Sequence, residues 1–132
     1  MNIEKKDETK NTTLQKIEDL IGYAFPQIDK FPRQERSYGG LATKLRTTIM
    51  NMAERCMDTK KCFYPKSTLK VLNELDKEIQ YAKFWTKTAY QIGYFNIQRL
   101  SVMNDYLDQI GKLTGSWIKT VMESDKESGA KK

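Results

Sequence analysis

The sequence predicts an all-α protein, an up-down-up-down antiparallel four-helix bundle, on three observations. Apolar residues recur at three- and four-residue spacing in four successive stretches. No stretch alternates apolar and polar residues as a half-buried strand would. The connections between the stretches are short, and short connections force neighbouring helices to run antiparallel. Residues 1–11 and 123–132 are polar and of mixed charge and are expected to be disordered tails, leaving 12–122 as one domain.

The first helix is expected from Thr13 to Lys30. Thr12 with Gln15 fits a capping box, and Leu14, Ile17, Leu20, Ile21, Ala24, Phe25 and Ile28 keep helical spacing. Pro26 is expected to kink it and Phe31-Pro32 to close it, because a residue before proline avoids the helical region. The second helix is expected from Gln34 to Asp58, with Tyr38, Leu41, Leu45, Ile49, Met52 and Cys56 as its inner face. The Gly39-Gly40 pair weakens its first turns or lets a neighbour pack close.

The third helix starts at Pro65, a favoured first-turn residue, and ends at Gly93, a natural C-cap. Leu69, Leu72, Leu75, Ile79, Ala82, Thr86, Ala89 and Tyr90 form its inner stripe. The fourth starts at Asn96, a good N-cap, with Leu100, Met103, Leu107, Ile110, Thr114, Ile118 and Val121 inside. Within it stand Gly111 and Gly115, four residues apart. A glycine in a helix interior costs roughly 1 kcal/mol against alanine. The pair is therefore expected to clear one stripe for close helix packing.

Some apolar residues lie off these stripes. At about 100° per residue, Tyr81, Phe84, Trp85 and Ile92 fall opposite the core side of the third helix. Val102, Tyr106 and Leu113 fall off the inner stripe of the fourth, with Trp117 on the same flank. A bundle of four helices has little room to bury so much twice. The surplus predicts a homo-oligomer interface, the alternative being a third helix covered on two sides by its own bundle.

The net charge is +6 and the pI about 9.2, which suits a nucleic-acid partner and equally a merely soluble surface. Arg33, Lys44 and Arg55 recur every eleven residues, close to three helical turns, and so would share one flank of the second helix. Lys83 and Lys87 form a cationic pair on the third helix, with Asp76 on the same side. Such cations can follow a phosphate backbone or stand as ordinary solvated lysines, and Lys83 can instead be held by Asp76.

Catalytic chemistry finds no footing. The chain has no histidine, which removes histidine general bases, histidine-paired nucleophiles and Cys/His metal sites. A di-iron bundle site wants Glu-x-x-His pairs. Cys56 and Cys62 alone make neither a disulfide framework nor a zinc site, and no phosphate-binding glycine loop occurs. The expectation is a non-enzyme with no catalytic residues, cofactor, metal or small-molecule substrate. No apolar run reaches the roughly 18 residues of a membrane span, and Met1–Glu8 lacks a signal-peptide core. A cytoplasmic location away from membranes is expected.

Several short elements in order carry a resemblance. Phe31-Pro32-Arg33 with Arg36 follows the first helix, Leu75-Asp76, Glu78, Ala89 and Gly93 mark the third, and Ile110-Gly111, Gly115 and Trp117-Ile118-Lys119 the fourth. This set resembles the accessory variability determinant (Avd) proteins of diversity-generating retroelements, within the superfamily of four-helix proteins encoded in 23S rRNA intervening sequences. It covers about residues 13–119. Lys83 and Lys87 stand where the family usually has arginines, and Ser116 replaces a glycine. Lysine lacks the bidentate fork of arginine. The resemblance implies a homopentameric barrel with a basic surface that binds the retroelement's reverse transcriptase and its template RNA or cDNA, supporting mutagenic retrohoming. The nucleic-acid-binding residues would then be Arg33, Arg36, Lys44, Arg55, Lys83 and Lys87. Asn51-Met52-Ala53-Glu54 echoes the intervening-sequence branch, from which Arg55 departs. That branch is the alternative: an oligomer with a structural or regulatory role and no reverse transcriptase partner.

Overall fold

Among the described residues four α-helices carry the fold: α1 (Asn2–Ile28), α2 (Leu41–Asp58), α3 (Pro65–Ile92) and α4 (Ile97–Ala130). The computed structural model describes the backbone of residues 2–130 and the side chains of residues 11–127. Each helix packs on its sequence neighbours and α1 also packs on α4, while the backbones of the diagonal pairs stay farther apart among the described residues. The result is a closed four-helix bundle, as the periodicity predicts.

Ile17, Leu20, Ala24 and Ile28 of α1 are fully buried in one core with Leu45, Ile49, Met52 and Cys56 of α2, Leu72, Leu75 and Ile79 of α3, and Met103, Leu107 and Ile110 of α4. Both ends of α3 and the start of α4 follow the expected chemistry. Pro65 opens α3, and Gly93, at φ 102°, closes it by donating its N–H to the Ala89 and Tyr90 carbonyls. The Asn96 side chain then accepts the Arg99 N–H at 2.8 Å and caps α4.

Other boundaries differ from expectation. α1 does not start at Thr13: Thr12 lies inside the helix, and Gln15 donates to Asp19 (3.0 Å) instead of closing a capping box. Lys and Glu dominate Glu4–Lys10, and with no glycine or proline there the helix has nothing to stop it. Residue 1 and residues 131–132 of the expected tails lie outside the described residues, while the backbone of 2–11 and of 123–130 continues α1 and α4.

α2 starts seven residues later than the apolar pattern implies. Arg33–Arg36 is instead a separate turn of 3-10 helix, followed by a turn through Gly39 at φ 80°. A Cβ on Gly40 would fall inside the Glu35 backbone, so only glycine lets the chain fold back there. Tyr38, expected on the inner face, is consequently fully exposed. Phe31 does the work of closing this end. It is buried between Tyr94 and Phe95, with both ring centroids 5.1 Å away. Tyr90, assigned to the inner stripe of α3, is partly exposed at the helix end.

Candidate nucleic-acid interface and self-association surface

The outer face of α3 is apolar and open. Tyr81 is 47%, Phe84 60% and Ile92 54% exposed. Phe84 meets Trp85 edge-on, with centroids 5.0 Å apart and planes at 81°. Trp85 is half-buried and leans on the core, so it anchors the patch from beneath. The α4 residues divide. Val102 is partly exposed, Leu113 half-buried, and Tyr106 packs inward with its ring 6.0 Å from that of Tyr23. Trp117, expected at an oligomer interface, is only 4% exposed and belongs to the bundle's own core. Its large ring is drawn in where α4 runs beside α1 and α3, so the flank inferred from periodicity is inward there.

The glycines of α4 also differ from expectation. A Cβ on Gly111 would meet Ile79 Cγ2 and Lys83 Nζ at 3.9 and 3.8 Å, ordinary contact distances, and one on Gly115 would meet nothing within 4 Å. Neither is a close helix contact within the bundle. Gly111 instead lines a shallow groove with Asp76, Gln80, Lys83, Asp108 and Lys112.

The basic residues separate by their partners. Arg33 and Arg36 are exposed on the 3-10 turn and Lys44 on the second turn of α2, and none has an ion pair among the described residues. Because Gly39 and Gly40 break the helix, Arg33 is not in helical register with Lys44, and the eleven-residue stripe is interrupted. Arg55 remains in register with Lys44 but is held by Asp58 at 2.8 Å and Glu74 at 4.0 Å. Lys83 is held too, though by Asp108 (3.1 Å) from α4 rather than by Asp76. Lys87 is exposed and unpaired among the described residues. Of the six cations, four have no ion pair among the described residues and two, Arg55 and Lys83, are paired.

Arg46 carries no signal in the residue spacing of the sequence. Its guanidinium stacks 4.3 Å from the Phe25 ring centroid and bonds Asp29 at 2.7 Å, tying α2 to the end of α1. Glu35 is another such residue. Partial burial, together with a hydrogen bond to the Glu35 carboxylate and the negative charge of that group, raises the Tyr94 hydroxyl above its ordinary range. The FPR element is the signal for this end of the molecule: Phe31 plugs it, Pro32 starts the turn, and Arg33 is left facing solvent.

The model of the bAvd-like family matches residues 12–121. The chain belongs to the bAvd-like family. The bAvd-like bundle is also similar to the crystal structure of a protein of unknown function from the S23 ribosomal protein family of Bacteroides thetaiotaomicron. The TM-score is 0.68 at 16% identity, over 87% of this chain and 98% of that one. At that identity the likeness speaks for the shared four-helix fold. No curated protein matches the chain. Among the described residues, no helix is long and apolar enough to cross a membrane.

Proposed function

We propose that this chain is a non-catalytic accessory protein of a diversity-generating retroelement. It assembles as a homo-oligomer, a pentamer by family resemblance, and binds the reverse transcriptase together with its template RNA or cDNA. The observation that carries this reading is membership of the bAvd-like family across residues 12–121. Two physical features support it. The open apolar face of Tyr81, Phe84 and Ile92 is the kind of surface a second copy covers. Arg33, Arg36, Lys44 and Lys87, which have no ion pair among the described residues, would be repeated around a ring, and repetition raises avidity without any new contact.

The test is a titration of structured RNA and duplex DNA at low and moderate salt. Binding is expected to tolerate sequence and to weaken by orders of magnitude with salt if about six or more phosphates are engaged. Arg33→Glu/Arg36→Glu/Lys44→Glu should weaken duplex binding strongly and lower its salt dependence. Arg55→Gln should have a much smaller effect, since Asp58 and Glu74 already hold that guanidinium. A wild type that binds neither nucleic acid at low salt defeats the nucleic-acid part of the reading. Oligomers that bind neither nucleic acid nor reverse transcriptase would instead favour the structural or regulatory role.

A further inference from the structure

The α2–α3 connection, residues 59–64, is not accounted for by the bundle. Phe63 is 88% and Tyr64 72% exposed, and neither ring contacts another among the described residues. Large aromatics left in water at a loop tip contribute nothing to the core. Around them stand Lys60, Lys61, Lys66 and Lys70, and no acid occurs between Asp58 and Glu74. Those two flanking carboxylates are turned to Arg55, and the four lysines have no ion pair among the described residues.

The backbone that presents these groups is fixed. The Thr59 hydroxyl donates to the Cys56 carbonyl at 2.6 Å, and the Cys62 N–H donates to the Thr59 carbonyl at 3.2 Å. The Tyr64 carbonyl accepts both the N–H and the hydroxyl of Thr68, at 3.0 and 3.1 Å. Pro65 then locks the entry to α3. The rings are thus held out on a preorganised loop, which lowers the ordering cost of any ligand that lies on them.

We propose that this connection is a stacking site for unpaired nucleic acid, with Phe63 and Tyr64 as base platforms and Lys60, Lys61, Lys66 and Lys70 as phosphate contacts. Exposed aromatics interleaved with unpaired cations are what sequence-tolerant single-strand binding requires. An anionic membrane would also attract aromatics and lysines, but it asks for its anchors in one plane. Here Lys66 and Lys70 trail away from the tip along α3, about 6 Å apart in rise, a layout that follows a strand. The proposal rests on the nucleic-acid reading above and adds a second site, away from Arg33, Arg36 and Lys44.

Fluorescence anisotropy with labelled oligouridine and a blunt RNA duplex tests it. Phe63→Ala/Tyr64→Ala should weaken oligouridine binding by about five-fold or more for each ring. Duplex affinity and melting temperature should stay unchanged, because the rings touch no core. Phe63→Trp/Tyr64→Trp should retain binding, and Phe63→Leu/Tyr64→Leu should not. Unchanged oligouridine affinity in the alanine variant, or equal losses on both ligands, would overturn the site. So would a wild type that binds duplex but not oligouridine, which leaves the broader reading standing. A wild type that binds neither overturns both. In a parallel arm with phosphatidylserine vesicles, a loss of sedimentation in the alanine variant with oligouridine unaffected would mark a membrane contact and overturn the proposal.

Discussion

Tyr94 and Thr86 each carry a prediction that a single substitution can test. The Tyr94 hydroxyl holds its proton more tightly in the folded protein, because it is partly buried and faces the Glu35 carboxylate. In the unfolded chain a tyrosine titrates near ~10. The neutral form's contribution is therefore complete below that pH. It is lost as pH rises through the higher folded value, where the unfolded chain binds fewer protons. Thermal melts taken across this range should show Tyr94→Phe losing less stability above pH ~10 than wild type; identical profiles would separate Tyr94 from the alkaline transition. The buried Thr86 hydroxyl has no hydrogen-bond partner among the described residues, and such an orphan group costs about 1–3 kcal/mol. Thr86→Val should raise the melting temperature, and a clear fall would mean that the hydroxyl has a partner in the assembled protein.

The elements were legible wherever a local chemical signal agreed with periodicity. Pro65, Gly93 and Asn96 mark both ends of α3 and the start of α4 because proline and a left-handed glycine act through their own backbone and the Asn96 side chain caps the next helix directly. The start of α2 was not legible from its apolar spacing. Tyr38 falls in phase with Leu41 and Leu45, yet the chain between them turns on Gly39 and Gly40, and helical phase has no meaning across that break. The same break undoes the register of Arg33 with Lys44. Ion pairing was a further blind spot, since the partner of Lys83 is Asp108, which lies on a different helix. These glycines predict opposite outcomes at alanine. Gly40→Ala collides with the Glu35 backbone and should destabilise the protein. Gly115→Ala, with open space around it, should stabilise α4 by about 0.5–1 kcal/mol. Chemical denaturation of the two variants decides this, and a destabilised Gly115→Ala would show that a neighbouring copy approaches that stripe.

At the scale of the whole molecule, the bundle leaves exposed what it does not use. The α3 face is apolar enough to call for cover, and the variant that tests it is not at Trp85, which also leans on the core, but at Phe84. Phe84→Glu should leave the helical content and the fold intact while dissociating the proposed assembly. An assembly that tolerates the charge would put the interface elsewhere. The proposed role as a scaffold for a polymerase is tested most directly by native mass spectrometry of the chain co-expressed with a reverse transcriptase of a diversity-generating retroelement. The predicted result is one species in which several 15.4 kDa copies, five by family resemblance, hold the polymerase. A 15.4 kDa monomer running apart from a free reverse transcriptase would contradict it.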